Sequence, residues 1–299
     1  MRIVNSIEEA NCITHSGTMH ADEVFATAFL DFYLDDVRVF RTNNPDGASE
    51  DALIYDIGRG KFDHHQPDAL KRENNVIYSS FGLLWKEFGK DFLKKNGFND
   101  IDNLWNGIDK DLVEGIDGDD NGIFPRIESP YKTKTLPNII KLFNPSYDSD
   151  ENETEQFIKA VELAKTIFEE EVYYINGKVK ADKKVLKCLE ENTNKNYLML
   201  NEYLPYEDVV LSNPLGEKIL YVVFPSNRGG YAIKAVPKSQ EDKTLKKPFP
   251  EEWAGLQNEE LEEVSGIKGL RFCHNSRFII NCESMETVNK VLNLVCQEV

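Results

Sequence analysis

Four of the five histidines in this 299-residue chain lie in two short clusters, and each cluster also contains an aspartate. The clusters are His15, His20 and Asp22, and then Asp63, His64 and His65. Neutral imidazole combined with carboxylate is a ligand set that suits Mn²⁺, Fe²⁺ or Zn²⁺, whereas Mg²⁺ is satisfied by oxygen ligands alone. The residue types therefore predict a centre for divalent metal ions.

Further aspartates lie close to these clusters in the sequence. Asp56 ends an apolar run just before the second cluster, and Asp117, Asp119 and Asp120 lie in the segment GIDGDDNGIF. Two divalent ions about 3.5–4 Å apart need a bridging carboxylate and several terminal ligands, which this set can supply. Each group has a simpler interpretation when taken alone, namely a helix cap, a strand-end cap or a polar turn. The conjunction of all the groups favours metal binding.

Alternating strands and helices in the first half would position these residues. We predict strands over 11–14, 37–41 and 52–57, a helix from Asp22 and another helix capped by Ser79 or Ser80. This alternation indicates an α/β unit with a mainly parallel sheet. Loops that follow parallel strands meet at the carboxyl edge of the sheet, where α/β proteins bind ligands.

The second half of the chain has a different character. A polar, acidic stretch over 147–155 precedes a helical stretch over 154–191, which Asn176-Gly177 could interrupt. The apolar runs 219–224 and 231–236 then predict a β-hairpin. We therefore expect two domains, residues 1–190 and a smaller domain of residues 191–299.

Composition limits the classes of partner and the compartment. The net charge of −17 argues against a protein that coats long nucleic acid, but a local cationic groove or bound metal could still capture a short phosphate substrate. Five scattered cysteines without a CxxC pair predict reduced thiols. Because no apolar stretch approaches the roughly 20 residues of a membrane helix and the N-terminus resembles no signal or transit peptide, we expect a cytoplasmic protein that does not bind membranes.

Cationic residues and glycines of the second half are candidates for binding substrate phosphates. They are Arg228, Gly229 and Gly230 in the turn of the predicted hairpin, Lys234 on its second strand, and Arg271, His274 and Arg277 further along. A surface cluster without function is the alternative for the last three. Ser79 and Ser80, at the predicted helix start, are a further candidate phosphate contact.

The sequence resembles the DHH phosphoesterase superfamily, whose signature is Asp63-His64-His65, and within it the MYG branch of melanocyte-proliferating-gene-type exonucleases. The matching blocks are THSGTMHADEVFATAFL (14–30), YDIGRGKFDHHQ (55–66), SSFGLLW (79–85), IDGDDNGIF (116–124), YAIKAVP (231–237), FPEEWAGL (249–256) and GIKGLRFCHNSRFI (266–279). The resemblance thus extends over nearly the whole chain.

This resemblance implies a DHH-type α/β catalytic domain with a mainly parallel sheet, followed by a smaller α+β substrate-binding domain. It implies phosphodiester hydrolysis with two divalent ions, Mn²⁺ being favoured over Mg²⁺, Fe²⁺ or Zn²⁺, and 3′–5′ exonuclease action on RNA or short oligonucleotides. Carried over by position, one ion is bound by His15, His20 and Asp56, and the other by Asp22, Asp56, His64 and Asp120. The broader superfamily has an aspartate, and one spacer residue fewer, where His20 stands in this chain and in the MYG branch.

The chemistry of such a site gives roles to three more residues. His65 could donate a hydrogen bond or a proton to the phosphate or to the leaving oxygen. Asp63 and Asp117 are predicted to orient histidines from behind.

Two alternative functions remain open. The same centre could hydrolyse a small substrate, such as pyrophosphate or a cyclic or linear dinucleotide, and residues of the second domain would decide between the substrates. A non-catalytic binding protein on the same fold is disfavoured because every expected ligand type is present. The sequence does not determine the oligomeric state, so a homo-oligomer also remains open.

Overall fold

The computed structural model describes residues 1–124, 128–192 and 195–296, and the chain divides into two units, Met1–Asn176 and Gly177–Val299. The first unit contains β1 (Arg2–Ile3), β2 (Cys12–Thr14), α1 (Ala21–Tyr33), β3 (Arg38–Arg41), β4 (Leu53–Ile54), α2 (Ser80–Lys95), α3 (Ile101–Ile108), α4 (Glu114–Asp120) and α5 (Leu136–Ile140). A π-helical turn, Asp109–Val113, joins α3 to α4. Helix α6 (Glu153–Glu190) crosses the boundary between the units.

The four strands of the first unit form a sheet of order β1-β3-β2-β4 in which every pair is parallel. This confirms the predicted α/β class with a parallel sheet. All three residues of β2 are buried, as expected for a strand covered on both faces. Strand β4 is shorter than the predicted 52–57, because Asp56 leaves the extended region with φ +57°.

Helix α1 carries the first cluster and is fixed by aromatic packing. Its residues 21–30 are all buried. Phe29 meets the ring of Trp85 on α2 edge-on at 5.5 Å, and that of Phe168 on α6 at 5.8 Å. Such pairs contribute about 0.5–1.5 kcal/mol each beyond the burial of their surface. These contacts hold α1 against α2 and α6.

The second unit is an α+β arrangement around a five-stranded sheet. Its elements are β5 (Tyr197–Met199), α7 (Glu207–Ser212), β6 (Tyr221–Pro225), β7 (Tyr231–Ala235), α8 (Asn258–Ser265), β8 (Leu270–Cys273), β9 (Ile279–Cys282) and α9 (Met285–Val295). The sheet order is β5-β6-β7-β9-β8; β5 and β6 are parallel, and the other pairs are antiparallel. The predicted hairpin is therefore present as β6 and β7.

Helix α6 differs from the prediction in two respects. Asn176-Gly177 does not interrupt it, and the two units divide at this dipeptide, inside the helix, whereas we predicted a boundary at 190/191. The reason is that Ala181, Val185 and Leu189 are buried in a core of the second unit. No helix among the described residues combines the length and apolar character needed to cross a membrane.

Candidate metal centre

The parallel register of the sheet brings His15 and Asp56 together. Ile13 on β2 is paired with Ile54 on β4, and the two functional residues each follow two positions later. Their side chains meet at the carboxyl edge, with His15 Nε2 3.1 Å from Asp56 Oδ2. The structure thus brings His15 and Asp56 together at the edge of the sheet where the sequence predicted a ligand site.

Asp56 presents its two carboxylate oxygens to different histidines. Oδ2 faces His15, whereas Oδ1 lies 3.6 Å from His64 Nδ1. The residue is only 4% exposed, and burial, reinforced by the charge of Asp22, raises its pKa to about 10. Its left-handed backbone, φ +57°, is a conformation that aspartate and asparagine tolerate better than most residues. This arrangement suits a carboxylate shared by two ions.

His64 and Asp120 form the next pair in the cluster. His64 Nε2 lies 2.8 Å from Asp120 Oδ2. Burial lowers the pKa of His64, but the hydrogen bond with Asp120 and the charge of Asp22 raise it overall to about 9. For Asp120, burial acts in the opposite direction and raises the pKa, but the hydrogen bond with His64 brings this pKa below its usual value. The two side chains form an ion pair of mutually stabilised charges.

Unpartnered buried atoms test whether this cluster fits metal ions. Twelve buried side-chain atoms have no hydrogen-bond partner among the described residues, and four of them belong to residues of this cluster: His15 Nε2, Asp22 Oδ1, Asp56 Oδ1 and His64 Nδ1. An unsatisfied buried polar group costs about 1–3 kcal/mol, and buried charges are normally paired or coordinated to a metal. All four belong to predicted ligands, so the residues present fit divalent metal ions.

All six predicted ligands lie in this cluster. Within it, His15, His20, Glu23 and Asp56 each offer a ligand atom within 4.8 Å of the others, and so do His20, Asp22 and Asp120. His20 belongs to both groups; its side chain is 54% exposed and its Nδ1 lies 3.8 Å from Asp120 Oδ1. Glu23 was not predicted, although a glutamate three residues after a helix cap is a recognisable capping signal.

Asp63 orients His65. Its Oδ1 lies 2.7 Å from His65 Nδ1 and accepts the main-chain N–H of the same residue at 3.1 Å, while Oδ2 accepts the N–H of Arg59 at 2.6 Å. Burial raises the pKa of Asp63, but the hydrogen bonds from His65 and Arg59 bring it below its usual value. The His65 ring stacks on that of His64 at 4.3 Å, and its side chain is 60% exposed. His65 is therefore a fixed imidazole beside the ligands and open to solvent.

The structure corrects the predicted roles of Ser79, Ser80 and Asp117. Both serines are fully buried, so they are not phosphate contacts. Ser80 Oγ donates to Asp22 Oδ2 at 2.7 Å, and Ser79 Oγ donates to Asp117 Oδ1 at 2.6 Å. Asp117 also accepts a hydrogen bond from Arg72 at 2.7 Å and, in the described part of the chain, from no histidine. The serines orient carboxylates, and Asp117 anchors α4 to α2.

Two side chains that sequence reasoning missed support the loop between His15 and His20. Arg41 donates to the main-chain oxygens of His15 at 3.2 Å and Gly17 at 2.9 Å. Asn144 accepts the N–H of Met19 at 2.6 Å and donates to its carbonyl oxygen at 3.0 Å. Both contacts are made to the main chain by residues distant in sequence, so no local motif could have indicated them.

Comparison with known proteins identifies the family. The MYG1_exonuc family model, described as "Uncharacterised protein family (UPF0160)", matches residues 11–294. This chain belongs to that family. The predicted resemblance is thereby confirmed, and the described centre lies within the matched residues.

Curated members of the MYG1 family resemble the chain over most of its length. The MYG1 exonuclease of Homo sapiens is 28% identical over 303 residues, covering 89% of this chain and 80% of that protein. The MYG1 protein of Dictyostelium discoideum is 28% identical over 297 residues, covering 89% and 90%. A solved pGpG-specific phosphodiesterase, PggH from Vibrio cholerae, is 13% identical with a TM-score of 0.35 over 96% of this chain and 97% of that chain, a likeness too weak to support an inference.

In this MYG1-family chain, three of the predicted substrate-binding residues line one cavity of the second unit. The cavity has a volume of about 480 Å³ and includes Arg228, Lys234 and His274 in its wall. Its other lining residues include the aromatic side chains Tyr203, Phe224, Phe272 and Phe278. Lys234 Nζ is also 2.7 Å from Glu207 Oε1, which positions the cation at the cavity wall.

The other four substrate contacts predicted in the second unit do not line this cavity. Arg271 lies 3.3 Å from Glu283, and Arg277 donates to the carbonyl oxygen of Phe249 at 3.4 Å. Gly229 and Gly230 both have positive φ, and a Cβ on Gly230 would lie 2.1 Å from the carbonyl oxygen of Cys282. Gly230 therefore serves close packing of the hairpin against β9, a constraint that the turn sequence alone did not reveal.

Proposed function

We propose that this chain is a phosphodiester hydrolase that uses two Mn²⁺ ions to remove nucleotides from the 3′ end of RNA or short oligonucleotides. The observation that carries the proposal is the position of Asp56, whose two oxygens face His15 and His64 separately. Two-ion phosphoesterases need a carboxylate of this kind. Membership of the MYG1 family and the name of the human relative, an exonuclease, support the same reaction class.

The ligands divide into two sets around the shared carboxylate. The first ion would be held by His15, His20 and Asp56, and the second by Asp22, Asp56, His64 and Asp120. Imidazole ligands favour Mn²⁺ over Mg²⁺. When bound, such ions lower the pKa of water toward neutrality and neutralise negative charge on the phosphoryl oxygens.

Protein side chains supply orientation and a proton. Ser80 fixes one oxygen of Asp22, which leaves Oδ1 directed into the cluster without a protein partner in the described residues. Asp63 occupies Nδ1 of His65, so Nε2 is the nitrogen that would deliver a proton to the leaving oxygen. Because this ring is exposed and held by one carboxylate, it can meet the substrate without rearrangement of the ligands.

The cavity of the second unit, considered by itself, has the lining of a nucleotide-binding site. Cations such as Arg228 and Lys234 would bind phosphate, and the aromatic side chains of the cavity would stack on a base. A volume of about 480 Å³ is in the usual range for small-molecule sites. This volume favours a short substrate, so hydrolysis of a linear or cyclic dinucleotide is the second candidate.

A substrate panel with the metal-loaded protein tests the proposal. Labelled RNA, DNA of the same sequence, a dinucleotide and pyrophosphate are incubated with Mn²⁺ and each of three proteins: wild type, Asp56→Asn and Asp102→Asn. Stepwise shortening of RNA by the wild type is the expected result, and cleavage of the dinucleotide alone would select the second candidate. Asp102 is an exposed aspartate of α3, so its variant should keep full activity.

The Asp56→Asn variant decides the site assignment. Asparagine tolerates the left-handed backbone, so the fold should survive, as circular dichroism would show. Removal of the shared carboxylate should abolish turnover. Undiminished cleavage by this variant would refute the proposed centre.

A further inference from the structure

The structural role of Glu23 does not explain why this position carries a carboxylate. It lies on the first turn of α1, is fully buried, and both of its carboxylate oxygens accept the main-chain N–H of His20, at 2.9 and 3.0 Å. A glutamine at this position would complete a capping box equally well without a buried charge. Capping therefore accounts for the hydrogen bond but not for the carboxylate.

The described surroundings offer this carboxylate no salt bridge to lysine or arginine. Its ion-pair contact is with His15 Nε2, 3.5 Å from Oε1. The charge of Arg41 interacts with that of Glu23, but the guanidinium donates its hydrogen bonds to the main-chain oxygens of His15 and Gly17. Asp22 and Asp56, both buried, add negative charge on the same side. A positive group is required to stabilise three buried carboxylates so close together.

The position of Glu23 matches that of a ligand. It offers one oxygen within 4.8 Å of ligand atoms of His15, His20 and Asp56. Among those neighbours, His15 Nε2 has no hydrogen-bond partner in the described chain, and Asp56, which faces it through Oδ2, has a side chain that is only 2% exposed and whose other oxygen, Oδ1, is also unpartnered. Four donor atoms thus lie within 4.8 Å of one another at the end of the sheet.

We propose that Glu23 is the fourth protein ligand of the first metal ion, an inference that rests on the proposed two-ion function. Charge balance supports it. Two divalent ions carry four positive charges, whereas Asp22, Asp56 and Asp120 supply three negative ones. Glu23 supplies the fourth, and it does so beside the ion that otherwise has two neutral imidazoles and only a shared carboxylate.

The variant Glu23→Gln separates a ligand from a cap. Its amide oxygen can still accept the N–H of His20, so a purely structural role predicts unchanged metal affinity. The matched control is Glu87→Gln, the same change at an exposed helical glutamate paired with Lys61. Metal-stripped wild type and both variants are titrated with MnCl₂ by calorimetry, and their melting temperatures are measured in EDTA and in excess Mn²⁺.

We expect two Mn²⁺ ions per chain for the wild type and the control. In Glu23→Gln, one of the two sites should weaken at least about 10-fold, since even residues that only orient ligands alter affinity by 10–100-fold. In EDTA this variant should melt at or above the wild-type temperature, because a buried charge has been removed. In excess Mn²⁺ the order should reverse.

The outcomes distinguish the two proposals. Two wild-type sites that persist with full affinity in Glu23→Gln would overturn the assignment of Glu23 and leave the proposed function standing. A wild-type protein that binds no Mn²⁺ would overturn both. If Glu23→Gln does not fold, Glu23→Asp gives the same titration, because a shorter carboxylate withdraws its oxygens from the ion; wild-type affinity in that variant would overturn the assignment.

Discussion

Replacement of Arg72 by methionine tests how α4, which carries Asp120, is fixed. Arg72 is a residue that sequence reasoning missed. Its guanidinium makes a bidentate pair with Asp109, donates to Asp117 Oδ2 at 2.7 Å, and lies 4.2 Å above the ring of Tyr78. The Arg72 side chain is 7% exposed, and that of Asp117 is fully buried. Methionine keeps the apolar stem but removes the cation from both carboxylates.

The expected cost follows from the burial of Asp117. Loss of one partner from a buried ion pair costs about 3–5 kcal/mol in unfolding free energy, because the other charge remains buried. Burial already raises the pKa of Asp117 to about 7 although hydrogen bonds from Ser79 and the charge of Arg72 lower it. Without Arg72 this pKa must rise further, so at low pH the carboxyl can take up a proton and escape most of the penalty.

The sign of the pH dependence is therefore fixed. A carboxyl whose folded pKa exceeds its unfolded value contributes most stability at low pH and loses it as pH rises through the folded value. The destabilisation of Arg72→Met relative to wild type should be smaller at pH 6 than at pH 8.5. It should grow by at most about 1.4 kcal/mol per pH unit for one proton.

Urea denaturation at the two pH values measures these differences. The double variant Arg72→Met/Asp117→Asn should recover part of the stability at pH 8.5, because the buried charge is gone. The control Lys90→Met breaks an exposed pair with Asp102 and should cost at most about 0.5–1 kcal/mol. A loss below about 1 kcal/mol in Arg72→Met, or a loss independent of pH, would refute this account.

Three further predictions concern the surroundings of the centre. Asn144→Ala removes two hydrogen bonds to Met19, so the unfolding free energy should fall by about 1–3 kcal/mol. Titration with Mn²⁺ should also show weaker binding, and an unchanged titration would contradict a supporting role for Asn144. Gly82→Ala would place a Cβ 2.1 Å from Oδ2 of the buried Asp117 and should prevent folding. The control Gly115→Ala changes an exposed helical glycine with open space around it, and it should raise the unfolding free energy by about 0.5–1 kcal/mol. Equal melting temperatures for the two variants would argue against this packing. Burial raises the pKa of Asp56 from 3.8 to about 10, so its contribution to the stability of the metal-free protein should decline as the pH rises between those values. An unfolding free energy in EDTA that rises steadily from pH 5 to pH 9 would contradict this expectation.

The positions of the candidate ligands were predictable because their signal is local in the sequence. His15 and Asp56 each follow a short apolar strand, and the rules of parallel sheets place such residues at one edge. Asp63 lies beside the histidine it orients. The family resemblance added the pairing of Asp22 with Asp120, which no spacing rule connects.

The supporting contacts were not predictable because their partners are distant in the chain. Arg72 pairs with carboxylates 37 and 45 residues away, and Asn144 contacts a residue 125 positions earlier. At the two serines, by contrast, a local signature was present and was misinterpreted. Ser79 and Ser80 carry the signature of an anion site at a helix start, but buried carboxylates of the protein itself occupy that role. The continuation of α6 through Gly177 was also not predictable, since a glycine within a helix is tolerated when tertiary packing compensates.

The left-handed backbone of Asp56 restricts how this centre could evolve. Glycine, asparagine and aspartate adopt that conformation most readily, and of these only aspartate carries charge. Glutamate or histidine would meet a backbone penalty of about 1–2 kcal/mol before any effect on binding. Adaptation to a different metal should therefore proceed through the terminal ligands, with His20, on the exposed side of the cluster, the position most open to change. In a saturation library at position 56, a sort for folding should enrich glycine, asparagine and aspartate, and a sort for turnover should return aspartate alone.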